Sequence, residues 1–494
     1  MKTLSHKIGL YFLLTVCMMT LTHAQYIEDA LRLGAPGLSV GARSLGLGTA
    51  YTGIANDFSA VYWNPAGLGQ MRLNEFSIGL SNLSYGNTST YYGAEQHTSN
   101  SSTTLNSAGL VYVAPTVKGS LVVALGYGRQ TDFTTGLSFK GFNPQSSIIQ
   151  SWAADGAPYP PDVTLAERLA LATADTISGR FISPINDSLT QSGKVLEGGG
   201  LNYYSAAASI EAVKNVFLGL TLNFISGSYS FTRNYYEDDL KNIYDASRYP
   251  YDVSSISLSD NLETSLSGFT MKFGFLYTPT PQSKIGLTIK SPSWVTARET
   301  FTSVATSDFD NGDHFIFPTG EFAPSTNEYD VRTPYAFSGG FSFNENIVTL
   351  ATDLEYTDWT QMEFSSSGAY SSTFDNYLND LNQQIKETMQ STLNARIGLE
   401  VAVPNTDMSL RGGFAYLPSP YQFDSSPNAQ KYVTAGIGFN FDNSIALDLG
   451  YAHGFWETSH IVYSGVDKNR QSFSAATSEQ IRTNNFMATF AYRF

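Results

Sequence analysis

At the C-terminal end of the chain every second residue is apolar. Phe486, Ala488, Phe490, Tyr492 and Phe494 share one face, and Asn485, Met487, Thr489, Ala491 and Arg493 share the other. Successive side chains of a strand point to opposite sides, so this period of two describes a strand with one greasy face and one mixed face. The pattern returns in Ile445, Leu447, Leu449 and Tyr451. It returns again in Leu393, Ala395, Ile397, Leu399 and Val401, which alternate with Asn394, Arg396, Gly398 and Glu400. In a barrel that crosses a bilayer the first set meets lipid and the second lines the lumen. Lipid offers no partner to an unpaired strand edge, so such a wall must close on itself.

The alternation predicts strands near 74–85, 104–114, 120–130, 201–212, 216–235, 265–278, 284–298, 334–343, 347–360, 393–403, 408–417, 431–441, 444–455 and 483–494, fourteen in all. Their connections alternate in length. Val213-Lys214-Asn215, Asn344-Glu345-Asn346 and Asp442-Asn443 are tight turns, whereas 131–200, 236–264, 299–333 and 361–392 are long and polar. Short turns on the periplasmic side and long loops outside are the habit of outer-membrane barrels, and an even strand count returns both ends to the periplasm. A water-soluble sandwich also alternates, but it does not place its long loops on one side. The fold class expected is all-β: a 14-stranded antiparallel transmembrane β-barrel.

Composition agrees. Charged residues are 14% of the chain, aromatics another 14%, and Gly numbers 42; a soluble protein carries about 25% charged residues. No apolar run of membrane-spanning length follows the first segment, which excludes helical spans. The balance of 28 basic against 43 acidic residues gives −15, which argues against a nucleic-acid partner. Acidic outer loops account for the excess and could hold divalent cations weakly.

The first segment sets the compartment. Lys2 and Lys7 precede the apolar run Ile8–Val16, and Thr22-His23-Ala24 offers a cleavage site before Gln25. Residues 1–24 read as a signal peptide, and the run is too short for the alternative, a membrane anchor. Cys17, the single cysteine, would leave with it, so a disulfide framework and a thiolate metal site are excluded from the mature chain.

Residues 25–72 do not read as a strand. Gly46 and Gly48 lack the third glycine and the preceding strand of a phosphate-binding loop; glycines there serve a compact backbone in a confined space. Two loops carry helical period: Leu165, Leu169 and the alanines between them, and Leu378, Leu381, Ile385 and Met389 within 375–392. Such faces pack onto a barrel rim or offer an apolar landing site for ligand.

The blocks Gly41-Ala42-Arg43, Leu45-Gly46, Ala55-Asn56-Asp57 and Tyr62-Trp63-Asn64-Pro65-Ala66-Gly67, with the 353–360 segment and Leu410–Tyr416 followed by Pro418-Ser419-Pro420, resemble the FadL-type outer-membrane transporters (the OMPP1/FadL/TodX family). The resemblance implies that 25–72 is an N-terminal hatch, or plug, inside the lumen of a barrel formed by 73–494. Gly41, Arg43, Asp57, Asn64, Pro65, Ala66 and Gly67 would then be its marker residues. It also implies passive uptake of hydrophobic molecules, long-chain fatty acids or aromatic hydrocarbons. Ligand would enter from the outer loops and leave sideways where a kinked strand meets the hatch. In the third strand Gly126 and Gly128 are the candidates for that kink; relief of crowding against the hatch is the other reading of them.

By register the lumen face holds Lys290, Asp353, Glu355, Arg396, Glu400, Arg411 and Asp448. A fatty-acid carboxylate would want a cation in an apolar pocket, which nominates Lys290, Arg396 and Arg411; pairing among these charges, or with the hatch, is the competing reading. His97, His314, His453 and His460 show no zinc-binding spacing, and no Gly-x-Ser-x-Gly elbow occurs. Neither a catalytic residue, a metal nor a cofactor is expected. The expected partners are a hydrophobic small molecule, outer-membrane lipid and lipopolysaccharide, with the protein acting as a monomer in the bacterial outer membrane. Two rival readings stand beside transport: a component of protein secretion or surface assembly, and a general porin. A porin needs an open bore, which a plug denies it.

Overall fold

The computed structural model describes residues 27–38, 40–152, 165–175, 180–247, 252–318, 324–368, 372–442, 444–466 and 471–494; the signal peptide expected at 1–24 lies outside them. Fourteen wall strands follow one another round a closed antiparallel barrel. They are Glu75–Tyr91, Ala94–Ala114, a third in two pieces (Leu121–Asp132 and Thr135–Asn143), Leu189–Val213, Val216–Asp238 and Val253–Tyr277. The seventh and eighth are also in two pieces, Ser283–Lys290 with Trp294–Phe309 and Ser325–Arg332 with Ala336–Glu345. Val348–Asp358, Ser391–Ala402, Met408–Leu417, Gln430–Phe441, Ile445–Val466 and Ser472–Arg493 complete the wall. The first strand pairs with the last from Glu75↔Arg493 to Thr90↔Ser478, which closes the cylinder.

The alternation is realised as expected. Phe486 is 57% exposed and Asn485 only 7%, so the apolar set of the last strand faces outward. Exposed aromatics border the apolar belt at both ends: Phe76, Tyr112, Phe343 and Tyr492 by the short turns, and Tyr204, Trp294, Tyr335 and Tyr356 toward the long loops. Such girdles mark the two interfaces of a membrane barrel.

Several strands run further than the alternation predicts. The first hairpin continues to Tyr91 and back from Ala94, the fourth strand starts at Leu189 and the last at Ser472. Beyond the bilayer neither face meets lipid, so Thr98-Ser99-Asn100-Ser101 replaces the apolar outward set. The period-two signal vanishes while the backbone ladder persists. Breaks in the seventh and eighth strands contain Pro292 and Pro334, which have no N–H to give a ladder.

The loop helix Ser372–Thr388 buries Leu378, Leu381 and Ile385, with Met389 just after it. These residues do not lie on the rim. They form one apolar cluster with Ile27, Ala30 and Leu33 of the N-terminal helix Ile27–Gly34 and with the wall residues Tyr203, Tyr229 and Leu266. A second cluster, including Ala166, Leu169, Tyr235, Ile256 and Tyr463, caps the long-loop end.

The hatch fills the bore below. Gly41 lies at φ 96°, where a side chain would be strained, and its N–H donates to Asn106 Oδ1 at 3.1 Å. Asn64 explains the Asn-Pro-Ala-Gly block. Its Oδ1 accepts from the Ala66 N–H at 3.1 Å, while Nδ2 donates to the Thr52 carbonyl at 2.9 Å and the wall carbonyl of Phe275 at 3.1 Å. Pro65 opens the short 3-10 helix Pro65–Gln70, where no N–H is needed. A Cβ on Gly67 would sit 2.1 Å from the Ala55 carbonyl oxygen.

Wall carboxylates hold the hatch backbone. Asp353 Oδ2 accepts from the N–H groups of Tyr51 and Thr52 at 2.8 and 2.7 Å, and Glu75 Oε1 accepts from Phe58 N–H at 2.8 Å. Arg43 grips Glu400 with two bonds, Nε to Oε2 at 3.0 Å and Nη2 to Oε1 at 2.9 Å, the fork geometry that suits a carboxylate. Burial would pull this guanidinium down, but Glu400 more than offsets that and holds it well above the ordinary arginine value. Asp57, by contrast, turns into the hatch rather than to the wall: it accepts from Tyr51 Oη at 2.6 Å and Ser59 Oγ at 2.5 Å.

The wall meets this plug with glycine. A Cβ on Gly219 would stand 2.3 Å from Ala66 N, on Gly286 2.2 Å from Thr52 O, on Gly398 2.3 Å from Leu47 O and on Gly413 2.3 Å from Gly48 N. Backbone therefore lies on backbone, which no larger residue permits. Gly398→Val should unseat the hatch, so planar bilayers holding the variant should conduct ions at a level approaching that of a 25–72 deletion. Conductance as low as the parent's would show that the contact is dispensable. Glu400→Gln leaves Arg43 and Arg411 short of a counter-charge, and breaking a buried pair costs about 3 kcal/mol or more. The temperature at which the folded band converts to the unfolded one on a gel should fall clearly.

Candidate functional site

The three nominated cations meet different fates. Arg411 is 7% exposed and fully engaged: Nε donates to Glu400 Oε2 and Nη1 to Asp448 Oδ1, each at 2.5 Å. With Arg43 it makes a neutral group of two guanidinium and two carboxylate side chains, so its bonds serve the hatch. Arg396 is likewise buried and donates to Glu355 Oε1 at 3.0 Å, an oxygen that also accepts from Asn394 at 3.1 Å. Lys290 stands apart. It lies on the lumen face at the end of Ser283–Lys290, directly across the ladder from Lys272, and has no hydrogen bond or ion pair among the described residues.

Lys272 escaped the sequence reading. Its Nζ donates to the hatch carbonyl of Tyr62 at 2.6 Å and sits 4.9 Å from the centre of that ring. Period two puts Lys272 on the lumen face with Thr270 and Gly274. Its pairing with Lys290 depends on the turn after Tyr277, whose register the alternation does not determine.

The third strand departs from the wall. Its ladder with the second runs from Ala114↔Leu121 to Ser107↔Gly128 and stops, although the second strand continues to Ala94. The register against the fourth strand shifts between Arg129 and Thr131. After a break at Phe133-Thr134 the strand resumes as Thr135–Asn143, paired with the fourth strand alone. This second piece crosses the inner face of the first hairpin: Asn87 Nδ2 donates to the Gly136 carbonyl at 2.9 Å, Asn100 Nδ2 to the Thr135 carbonyl at 2.9 Å, and Ser89 Oγ to the Ser138 carbonyl. The nominated glycines stand in the regular part just before the shift. A Cβ on Gly126 would fall 2.4 Å from Phe58 Cζ, and one on Gly128 3.1 Å from Val40 Cγ2, so both make room for hatch side chains.

Beside this departure lies a small cavity with about 10 Å³ of free space, lined by Val40, Phe58, Val61 and Tyr62 of the hatch and by Tyr127, Gly128, Tyr203, Ser205 and Asn223 of the wall. It joins the hatch to the apolar cluster above, since Tyr203 belongs to both. The hatch, the small cavity, the aromatic cluster and the interrupted ladder thus adjoin one another on the inner wall. No group of three potential metal ligands gathers among the described residues.

No protein-family model matches the sequence, and no curated protein does. Solved structures do match. The P. putida toluene transporter TodX shares 14% identity over 92% of this chain and 99% of that one, with a TM-score of 0.53. A Pseudomonas aeruginosa FadL homologue shares 12% identity over 93% of this chain and 100% of that one, with a TM-score of 0.55. The chain thus shares its fold with these structures; in this chain it is a closed fourteen-stranded antiparallel barrel with the N-terminal segment folded in the bore.

Proposed function

We propose that the protein carries hydrophobic molecules, fatty acids or aromatic hydrocarbons, across the bacterial outer membrane without an energy source. Residues 25–72 act as the hatch and 73–494 as the barrel, which works as a monomer among lipid and lipopolysaccharide. Cargo enters from the long loops, settles against the apolar cluster under the two helices, and leaves through the wall at the third strand. One observation carries this reading: the bore is sealed backbone against backbone, and the interrupted ladder beside the small cavity offers the way round the seal. The two matched structures, a toluene transporter and a FadL homologue, support the same cargo class. A water-filled porin path fits poorly, because the lumen above the hatch is occupied by Ile27, Leu33, Tyr229, Leu378 and Leu381.

Entry of labelled oleate and toluene into intact cells should depend on the protein when a strain lacking it is compared with the same strain complemented. Unchanged uptake with loss of surface-displayed proteins would turn the assignment toward assembly or secretion. Ser205→Trp, which fills the cavity without touching Arg43 or Asp353, should lower uptake several-fold in barrels that still shift on a gel when boiled. Full uptake by that variant would remove the cavity from the route.

A further inference from the structure

The cavity beside the third strand contains a polar group that the fold leaves unused. Tyr203 is 5% exposed and its hydroxyl has no hydrogen-bond partner. Buried hydroxyls are nearly always paired, and an unpaired one in a lined cavity points to a ligand atom. Its surroundings explain how the ring comes to be uncovered. Tyr203 pairs across the ladder with Gly128, which has no side chain to lay over it, and the remaining lining is mostly aromatic and aliphatic.

A second unpartnered atom lies beside the cavity. Gln130, next to the lining residue Tyr62, is also 5% exposed with its Oε1 unpaired. The Tyr62 phenol, which lines the cavity, lies beside both the Gln130 amide and Tyr203. The corner therefore presents a hydroxyl able to donate and a carbonyl able only to accept. The free space admits one group the size of a water oxygen. The cavity's own lining contains no charged residue. Lys272 is spent on the Tyr62 carbonyl and Arg396 on Glu355, while an unpaired amide oxygen repels an anion.

We propose that Tyr203 selects the polar end of the cargo, and that this end is an uncharged hydroxyl on an otherwise apolar molecule, such as an alkylphenol or a long-chain alcohol. The hydroxyl accepts from Tyr203 and donates to Gln130, and the apolar body extends into the cluster that Tyr203 shares with Leu201, Tyr229 and Leu266. The inference rests on the transport reading and narrows it from hydrophobic molecules at large to amphiphiles with a neutral head.

Protein-dependent entry of 4-octylphenol, octylbenzene and 4-octylbenzoate into intact cells tests it, with the parent protein, Tyr203→Phe and Gln130→Leu each supplied to the deletion strain. The parent should take up octylphenol about ten-fold faster than octylbenzene, the effect of one good hydrogen bond. Tyr203→Phe should bring octylphenol down to the octylbenzene rate and leave octylbenzene unchanged; Gln130→Leu should do the same in part. The gel shift on boiling reports whether each variant is folded. Equal rates for octylphenol and octylbenzene in the parent, or a phenol preference that survives both substitutions, would overturn the proposal. Preference for octylbenzoate would overturn it in favour of a carboxylate held by Lys290. Absence of protein-dependent uptake of all three compounds would instead bring down the transport reading beneath it.

Discussion

At Gly398 and Gly413 the hatch lies so close to the wall that a single methyl group would overlap Leu47 O or Gly48 N. Contacts of this kind put the polar backbone of the plug against that of the barrel, away from bulk water. Each N–H and C=O there needs a partner, and wall side chains supply several of them. Asp353 takes the amides of Tyr51 and Thr52, Glu75 takes that of Phe58, and Thr434 Oγ1 accepts from Gly48 N–H at 2.9 Å. Glu75, Asp353 and Glu400 thus serve the plug as hydrogen-bond partners, while Glu355 and Asp448 pair with Arg396 and Arg411 of the wall itself.

The two halves of the bore obey different rules as a result. Near the short turns, charge is balanced locally: Arg43, Arg411, Glu400 and Asp448 neutralise one another, and Arg493 pairs with Glu75 at 2.9 Å. Removing one member of such a set is costly because the others stay buried. Toward the long loops the lining becomes apolar, and the N-terminal and loop helices pack there through Leu33, Leu378, Leu381 and Ile385. The loop helix is tied in further by Asn382, whose side chain accepts from the Phe364 N–H at 2.7 Å and donates to the Phe364 carbonyl at 2.8 Å.

Much of this was legible in the residues, for a physical reason. Lipid imposes a strict demand on each outward position, so Phe486, Leu393 and Ile397 announce the strands that carry them. Inside the bore no such demand exists. Arg411 and Arg396 show their direction by parity, but their engagement by Glu400 and Glu355 depends on register between strands and on the position of the plug. Alternation puts Gly398 on the inward face but does not say what it meets; the placement of the wall glycines under the hatch emerges once Gly219, Gly286, Gly398 and Gly413 are seen to face Ala66, Thr52, Leu47 and Gly48. The upper reaches of the strands were hidden because water on the outer face leaves Ser and Thr where the bilayer would have required Leu.

The third strand shows why the site itself was the hardest part to read. Leu121–Asp132 begins as an ordinary wall strand, and its glycines at 126 and 128 look like a hinge. They are instead occupied by Phe58 and Val40 of the hatch, and the register shift comes one residue later, at Arg129 to Thr131. What holds the displaced piece is a set of side-chain amides and hydroxyls from the first hairpin, Asn87, Ser89 and Asn100, which reach the carbonyls that a neighbouring strand would otherwise serve. Those residues lie between the strands that alternation predicts near 74–85 and 104–114, where no outward apolar set marks a strand. Polar side chains that stand in for a missing ladder give partners to backbone carbonyls at the point where the wall is interrupted, as lipid surroundings require.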